Sequence, residues 1–296
     1  MVRPAPLTLA QLGESVPWLT QPELVFAPAP DGLSNRTFIV TDPGGTRYVV
    51  RESSGDDPVL GIDRSAEIRA LQALSDSGLG ARLIAWALPE GHLLTEFVPH
   101  STPERSWWSS PEGTNQVAHC LRQLHALPTA GKRFDPLSDI RNRVAWAQNQ
   151  PREHAMIDRA IQVLSDLQPV LSHLPETHDA PNGLCHGDLF RSNILATPHG
   201  LRFIDLEFAG AGNGWYDLAS ISLVMEDRAV ENLISAYCGE FNSRHLRALH
   251  QQRLLVAAWD SAWAMVHLLR GRTGHDYEAH LRESIERLPA VIALIG

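Results

Sequence analysis

Two short runs near the front of the chain, Thr37-Phe38-Ile39-Val40 and Arg47-Tyr48-Val49-Val50-Arg51, are rich in β-branched and aromatic apolar residues bounded by polar ones. Between them Asp42-Pro43-Gly44-Gly45 supplies turn chemistry, so a β-hairpin is predicted. The period then lengthens. From Asp63 to Ser77, Ala66, Ala70, Leu71 and Leu74 fall on one helical face, with Asp63 placed to cap the first turn and Gly78 to close the last. Two further strands are predicted over residues 82–87 and 92–98, and Pro99-His100-Ser101-Thr102-Pro103 reads as a connector. Beyond it the pattern is helical. Ser110-Pro111 is a cap followed by a first-turn proline, opening a helix that runs to Leu127 before Pro128. Helical periodicity returns over residues 138–149, 153–174 with a break at Pro169, 214–225, 227–239, 243–270 and 276–293.

Inside the helical stretch one hairpin is expected, with strands over residues 193–197 and 201–204 and Pro198-His199-Gly200 as the turn. Strands gathered in front and helices behind predict an α+β protein of two lobes. Residues 1–98 would form a small β-rich lobe and residues 99–296 a larger, mainly helical one.

Composition narrows the function classes. With 296 residues, 44% hydrophobic and 20% charged, the chain has an ordinary globular balance and can bury a substantial core. Its formal net charge of −9 argues against a nucleic-acid partner, which usually demands a basic excess, and is compatible with a cationic substrate. Cys120, Cys185 and Cys238 lie far apart without Cys-x-x-Cys spacing, so neither a zinc site nor a disulfide framework is suggested, and a reducing cytoplasm fits. The N-terminal residues lack an apolar run of signal-peptide length. Leu254 to Leu269 is interrupted by Asp260 and Ser261 and falls short of a membrane span.

The chemistry concentrates around the inner hairpin. His186-Gly187-Asp188-Leu189-Phe190-Arg191-Ser192-Asn193 precedes it and Asp205-Leu206-Glu207 follows it, with the hairpin bringing Asn193 and Asp205 to one end. His, Asp and Asn also cap ordinary turns. Together at this spacing they match what phosphoryl transfer from a nucleotide requires: one carboxylate to orient the acceptor hydroxyl, and an Asn and a second carboxylate to hold magnesium on the phosphates.

The pattern H-x-D-x-x-x-x-N, then a hairpin, then Asp, resembles the catalytic and metal-binding loops of the protein-kinase-like fold. Gly187 and Asp205-Leu206-Glu207 are similar to its small-molecule branch, the aminoglycoside phosphotransferases and the choline/ethanolamine and thiamine kinases. The resemblance spans residues 32–263 and is specific in the catalytic stretch. It implies an ATP- and Mg2+-dependent phosphotransferase acting on the hydroxyl of a small alcohol, with Asp188 as base and Asn193 and Asp205 at the metal. Glu207 is left between assisting at the metal and a structural salt bridge. His186 is expected to order the loop and Asp217 to anchor it, while a functional role for His125 is not expected. Gly32-Leu33-Ser34-Asn35-Arg36 resembles a phosphate-covering loop, with Ser34 and Asn35 as donors beside backbone amides. Arg51 stands where related kinases place a phosphate-binding cation, and Glu67 is its expected partner. Main-chain groups from Glu96 to Val98 would meet adenine, with Val49, Leu195 and Ile204 sandwiching the base.

The acceptor must be read from the C-terminal helices. Trp259 and Trp263 are one turn apart and share a face, with Asp260 nearby, the components of a cage for an ammonium or thiazolium cation. Trp215 and Tyr216 are further candidate walls. A choline, ethanolamine or thiamine type of acceptor is therefore expected. An aminoglycoside or sugar kinase, or a catalytically silent nucleotide-binding protein on the same scaffold, are the alternatives; the oligomeric state is left open.

Overall fold

The computed structural model describes residues 3–29, 35–174, 182–223 and 225–295. Helix α1 (Pro6–Gly13) and a 3-10 turn at Pro17–Thr20 lead into strands β1 (Val25–Pro28), β2 (Arg36–Thr41) and β3 (Arg47–Glu52). Helix α2 (Arg64–Ser77) follows, then β4 (Leu83–Ala87) and β5 (His92–Glu96). The five strands form one antiparallel sheet in the order β1-β2-β3-β5-β4. Strand alternation divides its side chains. Phe38, Val40, Val50 and Leu94 pack with Leu12, Leu19 and Leu24 into a small core on one face. Val49 and Arg51 point the other way.

Local chemistry sets α2. The Asp63 carboxylate accepts from the Ala66 amide at 2.8 Å, and Gly78 ends the helix in a left-handed conformation at φ 74°. Its inner face, with Ala66, Ile68, Ala70, Leu71 and Leu74, joins the larger apolar core built by the C-terminal helices. The apolar packing therefore crosses residue 98 and does not divide there.

The remaining chain comprises α3 (Pro111–His125), α4 (Pro136–Gln148), α5 (Ala155–Ser172), β6 (Asn182–Cys185), β7 (Ile194–Thr197), β8 (Gly200–Phe203) and β9 (Gly210–Asn213). Helices α6 (Trp215–Ser222), α7 (Asp227–Cys238), α8 (Ser243–Leu269) and α9 (Tyr277–Ala293) complete it. Helix α8 is largely buried through its second half because α4, α5, α6 and α9 all pack on it. No helix among the described residues is long and apolar enough to cross a membrane. The Ser110 hydroxyl caps α3 through the Gly113 amide at 3.0 Å.

Two expectations are corrected. Pro169 does not break α5, which continues to Ser172; so close to the helix end, the missing amide forfeits one hydrogen bond only. The pair β6–β9 was not anticipated, since Asn-Gly-Leu-Cys and Gly-Ala-Gly-Asn carry little strand propensity. Packing supplies the reason: a Cβ on Gly183 would lie 1.7 Å from the His125 carbonyl oxygen, so only glycine lets this strand lie against α3. The hairpin β7–β8 is tied to the front of the chain by Phe203 N–H to Leu79 O at 2.7 Å and Ser101 N–H to Ala196 O at 2.9 Å.

Candidate active site

Strand β6 delivers His186, Gly187 and Asp188, and α6 fixes their backbone. Asp217, in the first turn of α6, accepts from the His186 amide at 2.7 Å through Oδ2 and from the Gly187 amide at 3.0 Å through Oδ1. His125 Nε2 stands 3.0 Å from the same Oδ2, and its Nδ1 meets the Tyr237 hydroxyl. Burial would raise the Asp217 pKa, but His125 and the amide donors hold it below the usual carboxylate range. His125, set aside from sequence, is thus part of the brace. The Cys185 thiol also lies within 4.8 Å of these groups. Burial pushes that thiol well up and Asp217 is already saturated, so the trio is a hydrogen-bonded brace and not a metal centre. The His186 ring reaches the residue that follows β8: Nε2 is 2.9 Å from the Ile204 carbonyl, and Nδ1 receives the Asp188 amide at 3.3 Å. That pattern assigns the proton to Nε2. Burial lowers the His186 pKa, keeping the ring neutral. Gly187 is required here, with φ 80° and a virtual Cβ 2.9 Å from the Phe208 carbonyl oxygen.

Asn193 ends a single 3-10 turn (Arg191–Asn193) ahead of β7. Its Nδ2 donates to the Asp188 carbonyl at 2.8 Å and to Asp188 Oδ2 at 3.2 Å, while its own carbonyl takes the Ile204 amide at 3.0 Å. Asp188, Asn193 and Asp205 therefore converge. Asp205 has φ 61°, the one positive value for a non-glycine among the described residues, a conformation that strain-free loops rarely use. Its Oδ1 is buried without a hydrogen bond, with Arg51 Nη1 3.5 Å away. Burial, then the charges of Asp205, Glu207 and Asp260, pushes the Asp188 carboxyl well above its ordinary range. Burial and Glu207 push Asp205 up to about 7 against the opposing pull of Arg51. Two under-neutralised carboxylates, one with an orphaned oxygen, beside an amide oxygen form an all-oxygen donor set that suits a hard divalent cation such as Mg2+.

Behind them runs a buried chain of charge. Arg51 on β3 pairs with Glu67 on α2, and Arg64 Nη1 bridges Glu67 Oε2 at 2.7 Å and Glu207 Oε2 at 3.1 Å. Burial alone would lower the Arg51 pKa, but Glu67, Asp205 and Glu207 raise it. Glu67, raised by burial, is brought below its usual range by Arg51 and Arg64. Sequence reasoning missed Arg64, which looks like any charged residue in a helix's first turn; only the fold brings Glu207 to it. Glu207 Oε2, paired with Arg64, also accepts from Asn35 Nδ2 at 3.0 Å. Asn35 Oδ1 in turn takes Arg64 Nη2 at 3.2 Å, so both ends of this amide, expected as a phosphate donor, face inward. Ser34 lies outside the described residues.

At the end of β5, Glu96 is held to the residue before β4 and to β8: its carboxylate accepts from the Arg82 amide at 3.0 Å and lies 3.4 Å from Arg202 Nη1. The Val98 carbonyl is engaged by His100 Nδ1 at 2.8 Å. Val49, Leu195 and Ile204 are half-buried.

The acceptor candidates separate. Trp215 is only 1% exposed and lies between Tyr237 and His245 in the core, so it walls no site. Trp259 is committed internally: Arg143 stacks 4.0 Å over its ring, Phe208 meets it edge-on, and its Nε1 donates to Asp139 at 3.1 Å. Trp263 packs instead on His267, Tyr277 and His280. Asp260 receives His280 Nε2 at 2.9 Å and the Ser284 hydroxyl at 2.7 Å. The shared cage expected from the i, i+4 spacing is absent because the two rings are filled by different neighbours. Tyr216, buried on α6, lies within the field of Asp188 and Arg143.

The chain is 29% identical over 192 residues to a thiamine kinase of Escherichia coli (strain SMS-3-5 / SECEC), covering 64% of this chain and 63% of the relative. The match thus spans less than two thirds of the curated relative's length. An ethanolamine kinase of Plasmodium vivax superposes with a TM-score of 0.75 at 17% identity, covering 92% of this chain and 83% of that one. The choline kinase LicA of Streptococcus pneumoniae gives 0.71 at 18%, covering 94% and 97%. These likenesses give a two-lobed protein-kinase-like fold. Residues 25–261 match the sequence model of the phosphotransferase enzyme family, and the chain belongs to that family.

Proposed function

We propose that the protein transfers the γ-phosphoryl group of ATP, with Mg2+, to the hydroxyl of a small cationic alcohol. The observation that carries this reading is the under-neutralised pair Asp188 and Asp205, held rigidly beside Asn193 and within reach of Arg51. In this reading Asn193 and Asp205 hold the ion, which when bound neutralises charge on the phosphates. Arg51, fixed by Glu67, contacts phosphate oxygens, and the front sheet with Glu96 to Val98 receives the nucleotide. Asp188 accepts or orients the proton of the acceptor hydroxyl as that oxygen attacks phosphorus, and its raised pKa suits a proton acceptor. Asp217, His125 and His186 hold the loop that carries it.

The class of acceptor rests on overall charge: the formal net charge of −9 favours a cation carrying a hydroxyl. Trp259, occupied by Arg143, contributes packing in place of a cation–π face. The relatives named thiamine kinase and ethanolamine kinase support this class. A coupled ADP-release screen over thiamine, choline, ethanolamine, kanamycin and a neutral hexose tests it. Turnover with a cationic alcohol and Mg2+ is expected; exclusive use of the hexose would overturn the acceptor class, and no Mg2+-dependent turnover with any of them would count against the kinase.

A further inference from the structure

The segment between β3 and α2 is a closed knob. Asp57 and Ile62 exchange backbone hydrogen bonds at 3.1 and 2.9 Å, and the Asp57 carboxylate caps the Val59 and Leu60 amides at 3.2 Å each. Leu60 and Ile62 enter the large apolar core. Three cations from distant parts of the chain then grip it. Lys132 donates to the Gly61 carbonyl, Arg143 Nη2 to the Leu60 carbonyl at 2.8 Å, and Arg270 pairs with Asp57. Arg143 is fully buried and its other terminal nitrogen donates to the Trp259 carbonyl at 3.2 Å, one residue before Asp260.

The same knob ends where the phosphate-side network begins. Asp56 accepts from the Arg64 amide at 2.7 Å, Arg64 Nε donates to the Gly55 carbonyl at 3.1 Å, and Arg64 bridges Glu67 and Glu207. Glu67 in turn holds Arg51. A shift of α8 at Trp259 cannot leave the knob in place without breaking the Arg143 bonds, and a shift of the knob moves the first turn of α2. Packed elements of this kind respond as units.

We propose that the knob of residues 57–62 is a positioning element that links helix α8 to the Arg51–Glu67 pair, so that its grip by Arg143, Lys132 and Arg270 is energetically coupled to nucleotide binding. This rests on the kinase reading above. Arg143, Lys132 and Arg270 are its positioning residues; none belongs to the phosphate site itself.

Arg270 and Asp57 are the part of the grip open to change, because both are partly exposed. Binding of Mg·AMP-PNP is measured by calorimetry for the whole protein, for Arg270→Ala and Asp57→Asn, and for each in a Glu67→Gln background. The Asn variant keeps the cap of Val59 and Leu60 and leaves Arg270 on Trp146, whose ring it overlies at 5.3 Å. Each single change is expected to weaken binding by about 3- to 10-fold, with little or no further loss once Glu67 is changed. A general loss of stability would add equally in both backgrounds. Additive losses, or unaltered affinity in both variants, would overturn the coupling while leaving the kinase reading intact. Failure of the unaltered protein to bind Mg·AMP-PNP would overturn both.

Discussion

Asp205 and Asp260 both press on Asp188 by their charge, yet one is unsatisfied and the other is spent. Asp205 has a buried oxygen with no donor, a strained backbone and a pKa pushed up to about 7. Asp260 has His280 on both oxygens and a serine hydroxyl besides. A carboxylate oxygen buried short of hydrogen-bond donors costs stability. Its persistence beside Asn193 marks the place where a cation belongs, whereas the neutralised end around Asp260 is shaped by the chain alone.

The comparison breaks most sharply at Asp205. Asp205→Ala is expected to abolish Mg2+-supported turnover, measured as ADP release. Asp205→Asn should also raise the melting temperature of the metal-free protein at pH about 8. The sign follows from linkage: a carboxylate whose folded pKa lies above its unfolded value destabilises increasingly as pH rises between the two and fully above the folded one. The gain should therefore vanish below pH about 4. An unchanged melting temperature at the higher pH would mean that Asp205 is not under-neutralised.

Arg64 sharpens it from the other side. Arg64→Met removes the cation shared by Glu67 and Glu207 and is expected to cost about 3–5 kcal/mol, as for a buried pair deprived of one partner. Urea unfolding reads it, and a loss under about 1 kcal/mol would show that the bridge is dispensable. Smaller still, Asp188→Asn should lower turnover by about 10²-fold with nucleotide affinity within a few-fold, since proton handling goes and shape stays.

How much of this was legible in sequence depended on whether the signal was local. The caps Asp63 and Ser110, the Gly78 stop and the spacing of Asp188, Asn193 and Asp205 are encoded within a few residues and could be read directly. Arg64 with Glu207, Asn35 turned inward, and Arg143 over Trp259 join residues 143, 172 and 116 positions apart, and no pattern along the chain announces them. The i, i+4 spacing of Trp259 and Trp263 was correct as geometry and misleading as chemistry, because spacing says nothing about which neighbours fill each ring.

The smallest effect belongs to the spent end. The hydrogen bond with Asp260, partly opposed by burial, raises the His280 pKa above its ordinary 6.5. Its contribution to stability is therefore fully present below pH about 6.5 and is lost as pH rises through the folded value. Comparing unfolding of the unaltered protein and His280→Gln at pH about 5.5 and 9 should show the larger difference at the lower pH. Equal differences at both would mean that the imidazole is not paired as an ion.

The most direct measurement is the proton balance of metal–nucleotide binding. With Asp205 pushed up to about 7, the free site at pH about 7 carries protons that a cation must displace. Calorimetry of Mg·AMP-PNP binding in buffers of different ionisation heat should show net release of about half a proton or more at that pH. The release should disappear in Asp205→Asn and by pH about 9 should be much reduced. Tight binding without proton release, or release unaffected by Asp205→Asn, would contradict the claim that unsatisfied carboxylates at this site await a cation.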